Sequence, residues 1–172
     1  MKEKEHSNKS KYKLIDVHTE DDILNVFVLF VQTAQIILKY GNAFLYRKAR
    51  LSVVKLIVLQ VLSTMGGAMT MTEIARLTLS EPHNITTLIK RLKRDGLIIT
   101  EQNKADKRLV NVTLTNKGQR VLKHCMPAAR EVISQVMSSI SKRNAVLLEK
   151  QCAIMRHNVH HNLEDIYRHS QP

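Results

Sequence analysis

Small polar side chains and cations share one side of the segment from His83 to Arg94, a combination suited to contact with nucleic acid. If the segment is helical, His83, Thr87, Lys90 and Arg94 fall on one face, and other polar residues flank them. Small polar groups near the start of such a helix reach base edges in a major groove, and cations further along reach phosphates. The candidate DNA-binding residues of this segment are His83, Asn84, Thr86, Thr87, Lys90, Arg91 and Arg94.

The opposite side of the same segment is apolar, as a helix packed on a core requires. The spacing i, i+3, i+4, i+7 of a buried stripe is occupied by Ile85, Leu88, Ile89 and Leu92. Pro82 suits the first turn of the helix, and Gly96 closes it in the left-handed conformation. An amphipathic surface helix with a merely solvated charged face is the simpler alternative, because such patterns are common.

A shorter helix over residues 70–79 is predicted just before this segment. Thr70 or Thr72 caps it, and Ser80 is expected to be the N-cap of the helix that follows. Its buried face is predicted to carry Ile74, Leu77 and Thr78. Two helices joined by a short turn, the second with polar residues early and cations late, are typical of a helix-turn-helix.

A β-hairpin is predicted after Gly96, because the apolar period changes there from 3.6 to 2. Residues 97–101 and 108–114 form its strands, and residues 102–106 form a polar turn. Lys104, Lys107 and Arg108 give this wing a basic tip. We expect Asp106 to hold the guanidinium of Arg108 in a bidentate pair.

Long helices are predicted on both sides of this region. The first starts at the T-x-x-D sequence of Thr19, is apolar on nearly every side to about Tyr40, and has a break or cap at Gly41-Asn42. A second, capped by Ser52 and ended by Gly66-Gly67, is expected to bury Val54, Ile57, Val58, Val61 and Leu62. A long helix capped by Thr115 is expected to kink or break at Pro127, and the last runs over residues 143–167.

An all-round apolar first helix needs cover that so small a chain does not supply, so a second subunit is expected. The apolar run of residues 23–38 is interrupted by polar side chains and is shorter than the roughly 20 residues of a membrane span. With no signal peptide recognised, we expect a cytoplasmic protein without a membrane partner. The formal charge of +12 favours a polyanionic partner.

Other chemistry finds little support in the sequence. We find no catalytic motif, so neither an enzyme nor a cofactor is predicted. His157 and His161 have the i, i+4 spacing of zinc ligands, with His160 beside them, but a polar helix end is the better interpretation and no metal site is predicted. Cys125 and Cys152 are expected to be reduced, buried thiols.

Residues 50–118 resemble the MarR family of bacterial winged helix-turn-helix regulators. Leu51-Ser52 looks like the family's Leu-Thr, and residues 79–97 are similar to its recognition helix, including Arg91-Leu92 and Gly96-Leu97. Asp106-Lys107-Arg108 matches the Asp-x-Arg of the family's wing, and residues 114–118 match its Leu-Thr-x-x-Gly. The resemblance implies a homodimer joined by its terminal helices that binds double-stranded DNA. It adds Asp106, Lys107 and Arg108 to the candidate DNA-binding residues.

The resemblance also implies a transcriptional repressor that binds a pseudo-palindromic operator and is released by a small aromatic or anionic effector. An effector pocket is expected where the first helix meets the DNA-binding lobe, lined by Phe27, Phe30, Tyr40, Phe44 and Tyr46. The alternatives are a winged-helix module that binds protein instead of DNA, and a metal-dependent enzyme built on the histidines.

The fold class expected is mainly α with a small β-hairpin wing. The expected organisation has four parts. These are a flexible basic tail at 1–17, an N-terminal dimerisation helix region at 18–48, a winged helix-turn-helix lobe at 49–118 and C-terminal dimerisation helices at 119–172.

Overall fold

The computed structural model describes residues 19–169, which form six helices and three short strands. The tail expected at 1–17 lies outside the described residues. The chain separates into two units, residues 1–129 and 130–172. The fold class is the predicted one, mainly helical with a small antiparallel sheet.

Helix α1 (Asp22–Ala49) is capped by Asp21, whose carboxylate accepts from the N–H groups of Ile23 and Leu24 at 2.9 and 3.1 Å. The predicted break at Gly41-Asn42 is wrong, because Gly41 is buried inside the continuous helix. Asn42 bonds to the start of the next helix, since its side-chain oxygen accepts from the N–H of Val53 at 2.9 Å. The helix ends at Arg50, which adopts the left-handed conformation with φ 54°.

Most of the apolar surface of α1 is exposed in the single chain, including Ile23 at 80% and Phe27 at 62% of full exposure. By length and composition the helix could cross a membrane, so the expectation that this apolar segment is too short is wrong. The apolar segment predicted from sequence spans residues 23–38, whereas the helix has 28 residues. Helices buried inside soluble proteins can have the same length and apolar composition. The apolar surface of α1 therefore requires a cover, but the helix alone does not identify what covers it.

Helix α2 (Val53–Met65) begins at Ser52, whose hydroxyl accepts from the N–H of Lys55 at 3.3 Å, and ends at Gly66 with φ 68°, as predicted. Its predicted buried face is wrong in part, because Val54 and Ile57 are about 40% exposed. The face that packs inward is instead Leu56, Val58, Leu59 and Leu62. When almost every residue of a helix is apolar, the spacing of its apolar residues does not identify the face that packs inward.

Helices α3 (Met71–Thr78) and α4 (Pro82–Arg94) form the helix-turn-helix. Thr70 caps α3 in a full capping box with Glu73, and the bonds from Thr70 lower the pKa of the Glu73 carboxyl. Ile74 and Ala75 are buried, but Leu77 is 46% exposed, against prediction. Ser80 does not cap α4: its hydroxyl bonds to Thr78, and the N-cap is Glu81 without a side-chain bond.

The sheet has the order β1-β3-β2 and is antiparallel throughout. Strands β2 (Ile98–Gln102) and β3 (Val110–Leu114) form the predicted hairpin, with Ile98 opposite Leu114 and Gln102 opposite Val110. The third strand, β1 (Met69–Thr70), pairs Met69 with Val112 and was not predicted, because two residues carry no measurable alternation. Val112 is fully buried and Leu109 is exposed.

Helix α5 (Asn116–Met137) begins after Thr115, whose hydroxyl accepts from the N–H of Gly118 at 3.0 Å, as predicted. The helix continues through Pro127 without a break. Leu122 and Cys125 of α5 belong to the lobe's buried core, so the expected boundary at residues 118 and 119 cuts through a helix that packs on that core. In the second unit, α6 (Lys142–His169) matches the predicted last helix within two residues at each end.

Candidate nucleic-acid interface

Helix α4 is anchored in the core by one face and leaves the opposite face open. Ile85, Ile89 and Leu92 are 1%, 3% and 0% exposed, and Leu88 is half-buried. The polar residues predicted to bind DNA are all exposed: His83, Asn84, Thr86, Thr87, Lys90, Arg91 and Arg94. The lobe therefore brings all seven of these side chains onto one solvent-facing side of a single helix.

The C-terminal end of α4 is held from two sides. Lys55 Nζ on α2 lies 2.6 Å from Asp95 Oδ2, and Lys117 Nζ donates to the carbonyl of Asp95 at 2.7 Å. Gly96 then adopts φ 69°, the left-handed conformation predicted from its type. Asp95 was not predicted as part of the site, because pairing between residues this far apart in sequence leaves no local pattern.

Two of the last cations of α4 are not equivalent. Lys93 Nζ donates to Thr100 Oγ1 on β2 at 2.7 Å, so this lysine binds the wing. Arg94 Nε lies 3.8 Å from Asp95 Oδ1, yet its side chain is 78% exposed and still reaches solvent. The structure thus separates the cation that stabilises the lobe from those that remain available to phosphates.

The wing tip places Asp106, Lys107 and Arg108 together in an exposed loop between β2 and β3. The expected pair between the Asp106 carboxylate and the Arg108 guanidinium does not form in the described part of the chain. Asp106 Oδ1 accepts instead from the backbone N–H of Arg108 at 2.9 Å. A carboxylate two residues before an N–H readily closes such a local turn, and the Arg108 side chain is exposed to solvent.

The aromatic residues expected to line an effector pocket are spread along α1 in the part of the chain that the structure describes. Phe27 and Tyr46 are 19 positions apart on α1, about 28 Å along the axis at 1.5 Å per residue. Tyr40 and Phe44 pack against each other with ring centroids 5.9 Å apart. Tyr46 alone of the five lines the open groove of about 730 Å³ that the lobe contains beside α4.

That groove lies between the end of α1, the start of α2 and the polar side of α4. Its lining includes Tyr46, Ser52, Asn84, Thr87 and Arg91, so three of the candidate DNA-binding residues also line it. The Arg50 guanidinium lies over the Tyr46 ring, with Cζ 5.2 Å from the ring centroid. The pocket predicted from sequence is lined by aromatic residues, whereas polar side chains form much of the lining of this groove.

The histidines of α6 do not form a metal cluster among the residues that the structure describes. His161 Nε2 instead lies 3.5 Å from Asp165 Oδ2 one turn later. Cys125 is fully buried, which raises the pKa of its thiol, and Cys152 is only half-buried. Both cysteines are free thiols, as expected.

The sequence is similar to a known protein family and to a known repressor. The model of the MarR family matches residues 51–109, which cover α2 to the end of the wing loop. The HTH-type transcriptional repressor IacR of Pseudomonas putida is 24% identical over 115 residues, covering 67% of this chain and 68% of that protein.

Solved structures share the fold over most of the chain. The organohalide-sensing regulator RdhR in its 2,4-dichlorophenol-bound form is 25% identical with a TM-score of 0.73, covering 86% of this chain and 89% of that one. A MarR family transcriptional regulator from Streptomyces coelicolor in complex with DNA is 20% identical with a TM-score of 0.75, covering 83% and 94%. The likeness therefore extends beyond residues 51–109 into the helices that flank them.

Proposed function

We propose that the chain, whose residues 51–109 match the MarR family model, is a winged helix-turn-helix regulator of that family and a sequence-specific DNA-binding transcriptional regulator. It acts as a repressor, the role named for its relative IacR, and carries no catalytic activity. The observation that supports this best is α4, whose buried stripe fixes the helix while seven polar or cationic side chains face solvent.

Within α4, position along the helix assigns the roles. Asn84, Thr86 and Thr87 lie in the first half, where short side chains reach base edges, and His83 precedes them. Lys90, Arg91 and Arg94 follow and bind phosphates. Arg108 of the wing extends into the adjacent minor groove, with Asp106 and Lys107 beside it.

The regulator works as a homodimer. Large apolar side chains are exposed along α1 and α6 of the single chain, and both helices need a cover. A second copy of the chain supplies it with an identical pair of helices, so a membrane is not required. The cover by protein also favours a cytoplasmic location, where the DNA lies.

A small effector binds the groove beside α4. The ring of Tyr46 and the guanidinium of Arg91 suit an aromatic anion, and RdhR is solved with a chlorinated phenol. Since Asn84, Thr87 and Arg91 line the groove, an occupant competes with DNA for the same side chains. This explains release by ligand without requiring a distant conformational change.

The test is selection of bound fragments from a pool of random duplex DNA by the purified chain. We expect an inverted repeat whose half-sites lie about one helical turn, roughly 10 base pairs, apart. A chain with Lys90→Ala and Arg94→Ala, selected in parallel, is the control for binding through α4. Recovery of no consensus, with equal retention by both proteins, would instead favour a protein-interaction module.

A further inference from the structure

The seven-residue loop between β2 and β3 is ordered by the side chain of Asn103. Its Oδ1 accepts from the backbone N–H groups of Ala105 and Asp106 at 2.8 and 3.1 Å. Its Nδ2 donates to Asn111 Oδ1 on β3 at 3.1 Å. One half-buried amide therefore fastens the start of the loop both to its own tip and to the neighbouring strand.

Backbone and side-chain bonds then fix the segment that carries Arg108. Asp106 Oδ1 accepts from the N–H of Arg108 at 2.9 Å, and the carbonyl of Asp106 accepts from the N–H of Leu109 at 3.0 Å. The N–H of Asn103 donates to the carbonyl of Leu109 at 3.0 Å, which closes the base of the loop. Gln102 Nε2 also donates to the carbonyl of Lys107 at 2.7 Å.

These hydrogen bonds connect the Asn103 side chain, through Asp106, to the backbone of Arg108. Asn103 orients the N–H of Asp106, the Asp106 carboxylate orients the N–H of Arg108, and the exposed guanidinium extends from that backbone. Removing the Asn103 amide releases two tip N–H groups at once. A loop that is already ordered loses less conformational freedom when it binds.

We propose that Asn103 is a positioning residue for DNA binding: it preorganises the wing tip so that Arg108 reaches the minor groove. The proposal rests on the proposed function, because it presumes that Arg108 contacts DNA. In this role Asn103 itself contacts neither a base nor a phosphate. Its contribution must therefore disappear when Arg108 is absent.

The experiment is a double-mutant cycle with Asn103→Ala and Arg108→Ala, measured as binding isotherms on the selected duplex with A·T-rich flanks. We expect Asn103→Ala alone to weaken binding about threefold to tenfold, the effect of disordering one loop. In the Arg108→Ala background the same change should have almost no effect, because the side chain that it positions is gone. Gln60→Ala, an exposed amide on α2, is the matched control and should not change affinity.

Two further measurements separate positioning from loss of folding. Hydrogen exchange at the amides of Ala105 and Asp106 should quicken in Asn103→Ala while exchange in the buried helices stays unchanged. Asn103→Asp should restore part of the protection of these two amides, because a carboxylate still accepts from both N–H groups although it cannot donate to Asn111.

The outcomes distinguish this proposal from the proposed function. Equal losses from Asn103→Ala with and without Arg108, or tip amides that remain protected, overturn the role of Asn103 while DNA binding stands. A neutral Arg108→Ala overturns it too, and with it the wing contact, although recognition by α4 is retained. If the wild-type chain selects no sequence at all, the proposed function itself fails.

Discussion

Lys55 and Asp95 join the start of α2 to the C-terminal end of α4 through an ion pair of 2.6 Å. The hydrogen bond from Lys55 is the main reason that the pKa of the Asp95 carboxyl lies below its usual value, with smaller contributions from the charges of Lys55, Arg94 and Lys117. Partial burial acts in the opposite direction. The carbonyl of the same residue accepts from Lys117, so α4 is fixed to α2 and α5 at the one residue before Gly96.

The Asp95 pair should make stability depend on acid pH. A carboxyl whose folded pKa is lowered stabilises the fold above its unfolded pKa, and that contribution is lost as pH falls through the folded pKa. Both side chains are partly exposed, so Asp95→Asn should cost only about 0.5–1 kcal/mol near neutrality. Urea unfolding at fixed protein concentration should show this difference at pH 7 and a smaller one below about pH 4. A difference that grows on acidification would contradict the assignment.

Gly118 is required by close packing at the start of α5. A methyl group there would overlap the carbonyl oxygen of Leu97, which already accepts from the N–H and hydroxyl of Thr115. We expect Gly118→Ala to destabilise the lobe by about 2 kcal/mol, as overpacking does in other cores. Gly67→Ala is the control, because a Cβ there meets nothing within 4 Å, and its unfolding midpoint should match that of the wild type. Similar midpoints for all three proteins would show that the close approach is not real.

Removing residues 146–172 should abolish the dimer. The truncation deletes most of α6, so apolar side chains that the proposed dimer would bury stay exposed, and aggregates or unfolded monomer are expected. Size-exclusion chromatography with light scattering, run beside the full chain, measures the mass of each species. A soluble, folded monomer that still binds DNA would show that the terminal helices do not hold the subunits together.

Arg108 should discriminate between flanking sequences. Narrow A·T-rich minor grooves concentrate negative potential, so Arg108→Ala should lose more affinity on operators with A·T-rich flanks than on G·C-rich ones. Arg108→Lys should recover only part, because the ammonium group is more strongly hydrated. Lys107→Ala, the adjacent exposed cation, should weaken both duplexes equally. Equal losses from Arg108→Ala on the two flank types would exclude minor-groove reading by the wing.

Local chemistry predicted much of this fold from sequence. Thr70, Ser52 and Thr115 cap the helices that they were expected to cap, and Gly96 takes the left-handed conformation that its type favours. These outcomes depend on a side chain and a backbone group a few residues apart, which a sequence displays directly. The apolar stripe of α4 was equally visible, because polar residues on the other face gave it contrast.

Competing partners, some distant in sequence and some local, decided the features that sequence did not predict correctly. Gly41 does not break α1, because it is buried there, and Asn42 bonds to Val53 of the next helix. The Asp106 carboxylate was predicted to pair with the Arg108 guanidinium, but it accepts instead from the backbone N–H of Arg108. The anchor at Asp95 and the network around Asn103 depend on partners brought together only by the folded lobe.

We propose that α4 reads DNA by contacting bases with its first half and phosphates with its second half. Thr87→Ala and Lys90→Ala test it on the selected operator and on a scrambled duplex of the same length, over a range of salt concentrations. Lys90→Ala should weaken both duplexes alike and reduce the salt slope by about one, whereas Thr87→Ala should weaken mainly the operator. If both changes act equally on the two duplexes, or neither affects binding, α4 is not the reading helix.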